Sequence, residues 1–222
     1  MKTGGLRIFL MIIGLFCGAC RPKYISNSKY FETPINISAK GAILTKNDTL
    51  WIEIKPNPTL RETKTNKEYT FQNASYTLSA RMEAWRKNFN ATDFLNNFQI
   101  VTQKGSLINY SISSYNDGFL VDFGMRFGYP DESELKFGIV CSNVGIFSLT
   151  FGGNINPGVN NSNCQKNSCQ SENSYLLYAF KPEDTNWAIY DKLTKSEKRG
   201  TEKYYTEKQK NERNTYFFEV TE

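Results

Sequence analysis

The feature that most limits what this chain can become is its alternation. From Ile35 onward, short runs rich in Ile, Val, Thr, Tyr and Phe recur at intervals cut by Gly, Asn, Asp and Pro. Successive side chains of a strand point to opposite faces, so a run that alternates apolar and polar residues buries one face and wets the other. Thr49-Leu50-Trp51-Ile52-Glu53-Ile54 is such a run, closed by Pro56 and Pro58. An Asn47-Asp48 turn separates it from Ala42 to Thr45, and the two segments read as a hairpin. Tyr69 and Phe71, then Tyr76, Leu78, Ala80 and Met82, also alternate, with a bulge at Asn73 to Ser75 absorbing the change of phase. Leu107 to Ile112 and Phe119 to Arg126 flank Asn116-Asp117-Gly118, a strong hairpin turn. Lys136 to Cys141 and Gly145 to Phe151 repeat the device around Ser142-Asn143. Phe94, Leu95, Phe98, Ile100 and Val101 are spaced partly as a helix and partly as a strand, which leaves residues 93–103 open between the two.

Two stretches break this rhythm. Gly152 to Asn173 is mostly Gly, Asn, Ser and Gln, longer than a compact domain carries without a purpose or a staple. Further on, Pro182, Glu183 and Asp184 can open a helix that carries Trp187, Ile189 or Tyr190, and Leu193 or Thr194 on one face and stops at Gly200. Thr215 to Val220 then closes the chain as a strand. The expected fold is mainly β, an antiparallel sandwich-like domain over residues 35–222 with one carboxyl-terminal helix before the last strand.

Composition matters chiefly for the chemistry it removes. Among 222 residues there is no histidine. A histidine-activated nucleophile, an imidazole base near neutral pH and a histidine-held zinc or haem are thereby excluded. The routes that need no imidazole are each explained more simply by structure. Asp131-Glu132 and Glu134 follow Tyr129-Pro130 as a wet turn, Glu183-Asp184 suits a helix start, and Asp122 sits between Val121 and Phe123 on the outward face of a strand. None of these is the converging pair that a glycan hydrolase needs. Phe151-Gly152-Gly153-Asn154 precedes a polar loop and not a helix, so it is no phosphate cradle. The reading is of a protein that binds or scaffolds without catalysing, with no metal and no cofactor.

At the amino terminus, Lys2 and Arg7 precede an uninterrupted apolar run from Ile8 to Phe16, which ends in Cys17-Gly18-Ala19-Cys20 and is stopped by Arg21, Pro22 and Lys23. A spanning helix needs ~20 apolar residues, so this run has the length of an export signal. Gly18, Ala19 and Cys20 resemble the lipobox of bacterial lipoproteins, in which small residues admit the lipoprotein signal peptidase and the cysteine thiol is acylated. Cys17 departs from that pattern, which usually has an aliphatic residue there. An ordinary signal peptidase would cut the same bond, so the two readings differ only in whether Cys20 carries lipid. The resemblance implies a signal peptide over 1–19, acylation at Cys20 and a tether over 20–34. It also implies a place in a Gram-negative envelope, with membrane lipid as the first partner. Arg21 stands where an aspartate commonly retains lipoproteins in the inner membrane, which points to the outer one.

Without Lys2 and Arg7 the 27 basic residues become 25 against 22 acidic ones, a balance of +3. The segment from Lys181 to Arg213 mixes both signs, so neither count names a nucleic acid as partner. Asn-x-Ser/Thr at Asn36, Asn47, Asn73, Asn90, Asn109 and Asn160 is what chance provides in an Asn-rich chain.

Three cysteines remain in the body. Cys164 and Cys169 flank four residues of the polar loop, and a bridge between them would constrain the unfolded chain by roughly 2 kcal/mol. Cys141 paired with either is the alternative, and one thiol is left over in both cases. The aromatic supply, 3 Trp, 13 Tyr and 16 Phe, makes an extracytoplasmic carbohydrate-binding protein the alternative function. Trp51 in an alternating strand and Trp187 on a helix face are expected to pack. Trp85, beside Arg86 and Lys87, is the residue expected to be exposed and to touch a ligand.

Overall fold

The computed structural model describes residues 28–38, 42–71, 73–85, 98–115, 118–130, 132–156, 174–181, 184–194, 198 and 213–222. Residues 1–27, which include Cys20, lie outside the described residues, as do Cys164, Cys169 and most of the two polar stretches. The strands are β1 (Lys29–Ile37), β2 (Ile43–Thr45), β3 (Thr49–Ile54), β4 (Thr59–Arg61), β5 (Glu68–Thr70), β6 (Ser75–Ala84), β7 (Phe98–Lys104), β8 (Ser106–Tyr115), β9 (Gly118–Gly128), β10 (Leu135–Cys141), β11 (Gly145–Asn156), β12 (Ser174–Ala179) and β13 (Thr215–Thr221). One helix, α1 (Trp187–Asp191), precedes β13. Among the described residues the chain is therefore mainly β, with one short helix before its last strand.

Nine strands form a continuous path, β7-β10-β3-β1-β12-β11-β6-β9-β8. Two places on this path carry the chain from one sheet to another. The first half of β1, Lys29 to Pro34, pairs with β12, and its second half, Ile35 to Ile37, pairs with β3. Pro34 has no N–H to donate, and it stands where β1 leaves the β12 ladder. At the other corner β7 runs into β8 through the single residue Gly105, at φ 86°, a left-handed conformation that glycine adopts without strain. A Cβ there would lie 2.6 Å from Leu135 Cδ1 and 2.9 Å from the Arg126 carbonyl oxygen. The two ends of the path are thus joined by one residue, which bends a four-strand sheet (β7-β10-β3-β1) round to meet an eight-strand one that shares β1 and includes β13 and β2, in a nearly closed barrel.

The interior is filled by the inward set of each strand. Leu50, Ile52 and Ile54 of β3, Leu78 and Met82 of β6, Val121 and Met125 of β9 and Phe137 of β10 are all fully buried. The small β4–β5 hairpin packs Tyr69 and Phe71 edge-on against Phe31, with centroids 5.4 and 5.1 Å away. Its turn is held by buried Glu62, whose carboxylate accepts hydrogen bonds from the Thr65 N–H and hydroxyl, both at 2.6 Å. The Thr65 hydroxyl bond, above all, draws the Glu62 carboxyl below its usual pKa.

Several expectations need correction. The body does not begin at Ile35, because β1 starts at Lys29 and both Phe31 and Thr33 are fully buried. The reading of 20–34 as tether therefore loses its last six residues to the fold. The Asn47-Asp48 turn forms, with the Asp48 N–H on the Thr45 carbonyl at 2.9 Å, but β2 pairs in parallel with β13 and not with β3. Likewise β10 and β11 flank Ser142-Asn143 without pairing, since β10 lies between β3 and β7 while β11 lies between β6 and the β12/β13 edge. Two of the ladders, β1–β12 and β13–β2, are parallel. The helix is shorter than expected, because Asn186, at φ 56°, starts a single turn at Trp187. Phe98 to Val101 are strand, and Tyr115↔Gly118 closes the expected β8–β9 hairpin.

Candidate functional site

Both sheets of the barrel have an outer face, and the two are finished differently. On the larger sheet, α1 covers the start of β11 and β13. There Phe217 meets Trp187 at 4.8 Å, Tyr190 at 5.3 Å and Trp85 at 6.2 Å between ring centroids. The Trp85 indole N–H donates to the Ser148 hydroxyl at 3.0 Å, and the ring is 0% exposed. The expectation that Trp85 is an exposed ligand contact is thus wrong. Its neighbours in sequence are cationic, but its place at the end of β6 sets it on a face that a helix seals, where a large ring with one satisfied N–H packs well.

The outer face of the four-strand sheet carries the opposite arrangement. Because Leu50, Ile52 and Ile54 point inward, Thr49, Trp51 and Glu53 point outward. Trp51 is half-buried, and its register partner on β10 is Gly138. A Cβ on Gly138 would come within 3.1 Å of the indole atoms Cε3 and Cζ3 and 2.4 Å of Thr49 Cγ2. The benzo edge of the indole therefore lies in the space that a side chain would fill. Glycine inside a central strand costs roughly 0.5–1 kcal/mol relative to alanine, and here close approach of the ring accounts for it.

Around Trp51 are Asn36 of β1, Glu53 of β3, Lys136 of β10 and Gln103 of β7, which together with Ile37 and Ser38 line a groove of about 380 Å³. Asn36 pairs with Glu53, and Glu53 with Lys136, so three of these side chains form one row across three strands. Gln103 joins them because the β7–β10 register slips beside Lys136, making it the extra residue of a bulge. The Ser38 hydroxyl accepts the Trp51 N–H at 2.9 Å, which ties the end of β1 to the strand that bears the ring. The Lys136 ammonium stands 5.9 Å from the centre of the indole.

The electrostatics beside the groove leave its polar groups available. Glu134 binds the Lys104 ammonium at 2.7 Å and that of Lys55 at 2.5 Å. These two bonds hold the Glu134 carboxyl far below the usual range, at about 2, and the Lys104 bond raises the lysine in turn. Lys104 and Lys55 are thereby committed. Among the described residues, no hydrogen bond or ion pair engages the side chains of Asn36, Glu53 or Gln103, and no carboxylate engages Lys136.

A larger depression, of about 480 Å³, lies on the outer face of the other sheet among Ser79, Arg81, Asn109, Ser111, Asp122 and Thr150. Its charges already satisfy each other. Arg81 Nε donates to Asp122 Oδ1 at 2.7 Å and Nη2 to Oδ2 at 3.2 Å, a fork that faces solvent. Asp122 is outward, as its strand position predicts. Cys141 is buried, and that burial pushes its thiol up to about 12, so it has none of the thiolate character that redox chemistry needs. Among the described residues no group of three carboxylates or thiols converges as a metal set would, and no helix is long and apolar enough to cross a membrane.

Trp51 is large enough to be expected in the core, and it lies outside. The alternation of Leu50, Ile52 and Ile54 already placed it outside. No protein-family model matches this chain, and no curated protein does either.

Proposed function

We propose that this protein is a lipid-anchored envelope module, held to the outer membrane of a Gram-negative bacterium through acylated Cys20, whose β body binds a partner without transforming it. The anchor rests on Lys2, Arg7, the apolar run from Ile8 to Phe16 and the lipobox-like Gly18-Ala19-Cys20. One structural observation carries the binding role: a half-buried tryptophan on an outer sheet face, beside the side chains of Asn36, Glu53 and Gln103, which make no hydrogen bond or ion pair among the described residues.

The start of β1 shapes this reading. Nine residue steps separate Cys20 from Lys29, and a fully extended chain spans at most ~3.3–3.6 Å per residue, so the leash reaches no more than ~30 Å. Two or three acyl chains contribute ~0.8 kcal/mol per buried methylene, enough to hold the body at the membrane surface.

Metabolic labelling with a palmitate analogue tests the anchor. Label is expected on the native chain and absent from Cys20→Ala; equal label on both would refute acylation at Cys20. A carbohydrate is the partner that Trp51 favours most specifically.

A further inference from the structure

We infer that the groove around Trp51 is a glycan-binding subsite that takes an uncharged pyranose unit. The inference rests on the binding role proposed for the body and names its ligand class. A pyranose has an apolar face of C–H bonds and a rim of hydroxyls that both donate and accept. The groove supplies the complement of each. The indole of Trp51, set against Gly138, offers a flat apolar surface of the kind an amphipathic ring stacks on. The amides of Asn36 and Gln103 both donate and accept, Glu53 accepts and Lys136 donates, so the rim can meet hydroxyls of either sense.

Charge decides which sugars fit. Glu53 and Lys136 cancel within the rim, and Glu134 already engages the two nearest further cations. A uronate or sulfated unit would have to compete with Glu134 for Lys55 and Lys104, whereas a neutral unit asks for none of these cations. The groove volume, about 380 Å³, falls at the lower end of the ~300–1,000 Å³ of small-ligand sites. The two aromatic residues that line the depression at Arg81 and Asp122, Phe123 and Phe151, are both buried, and its strongest polar groups are spent on each other.

The test is affinity electrophoresis of the full chain, solubilised in detergent, through gels that contain hydroxyethylcellulose, galactomannan, soluble starch or polygalacturonate. Retardation by at least one of the three neutral polymers is expected, together with at least a ~10-fold loss of affinity in Trp51→Ala. Asn36→Ala combined with Gln103→Ala, which leaves the ring in place, is expected to lose affinity as well, and it serves if Trp51→Ala fails to fold. Arg81→Ala is expected to bind as the native chain does. The inference is overturned if no neutral polymer retards the protein, if polygalacturonate alone does, or if retardation survives both groove variants. Palmitate labelling of Cys20 is independent of these gels, so a failed anchor and a failed glycan site are told apart.

Discussion

Trp85 and Trp51 leave the barrel in the same direction, outward from a sheet, and end in opposite environments. Trp85 emerges at the end of β6 beneath α1, where Tyr190 and Phe217 close over it and Ser148 takes its N–H. Trp51 emerges from the middle of β3 onto a face where Gly138 makes room for the ring and polar side chains stand round it. The pair teaches that a tryptophan on a sheet is assigned by what the chain places over its face. Local polarity misleads in both cases, since the cations beside Trp85 predict exposure and the apolar neighbours of Trp51 predict burial.

The comparison can be broken most easily at its larger side. Trp85→Ala is expected to cost ~3–5 kcal/mol in urea unfolding, because it empties a sealed volume and leaves the Ser148 hydroxyl without its donor. Trp51→Ala is expected to cost about 1 kcal/mol or less. Equal losses would mean that both rings are structural, and the distinction between the two faces would fall.

Gly105 comes next. Gly105→Ala at the β7–β8 corner forces a side chain into a left-handed conformation and against Leu135, which is expected to destabilise by ~1–3 kcal/mol. Gly138→Ala, where φ is ordinary, should cost less in stability but displace the Trp51 ring. A shift in indole emission with a small change in unfolding midpoint is the expected signature. An unchanged spectrum would show that the ring does not depend on the missing side chain.

The smallest effect concerns acid. Glu134 has a depressed folded-state pKa, so its contribution is complete above the unfolded carboxylate's pKa, ~4.3, and is lost as pH falls toward the folded value of about 2. Both partners are solvent-accessible lysines, so the contribution at neutral pH is modest. The stability difference between the native chain and Glu134→Gln should therefore be small at pH 7 and shrink between about pH 5 and pH 2. A difference that grows on acidification would contradict the assignment of Lys104 and Lys55 as its partners.

Much of the strand inventory was legible in the sequence, because alternation is a local signal. β3, β6, β9 and β13 lie where their apolar residues fall two apart, and the β8–β9 hairpin lies where Asn116-Asp117-Gly118 demands it. Pairing was not legible, since it is decided by distant segments. Nothing near Lys29 announces its parallel partner Ser174, and without β12 and the β4–β5 hairpin the segment around Phe31 reads as tether. The Asn47-Asp48 turn forms, and the chain bends at Asn143. In both places the flanking strands join different ladders, which turn chemistry cannot reveal. At the candidate site, Trp51 was expected to pack although its strand phase places it outward, and Gly138, Asn36 and Gln103 came together only through register and a bulge.

The outer face around Trp51 is open, while the face around Trp85 is sealed. Acrylamide quenching of tryptophan emission compares the two directly, using the native chain and Trp51→Phe. The account predicts that this substitution removes the larger part of the readily quenched emission, leaving the slow quenching of rings packed against Phe217. A quenching curve for Trp51→Phe that superimposes on that of the native chain would contradict it.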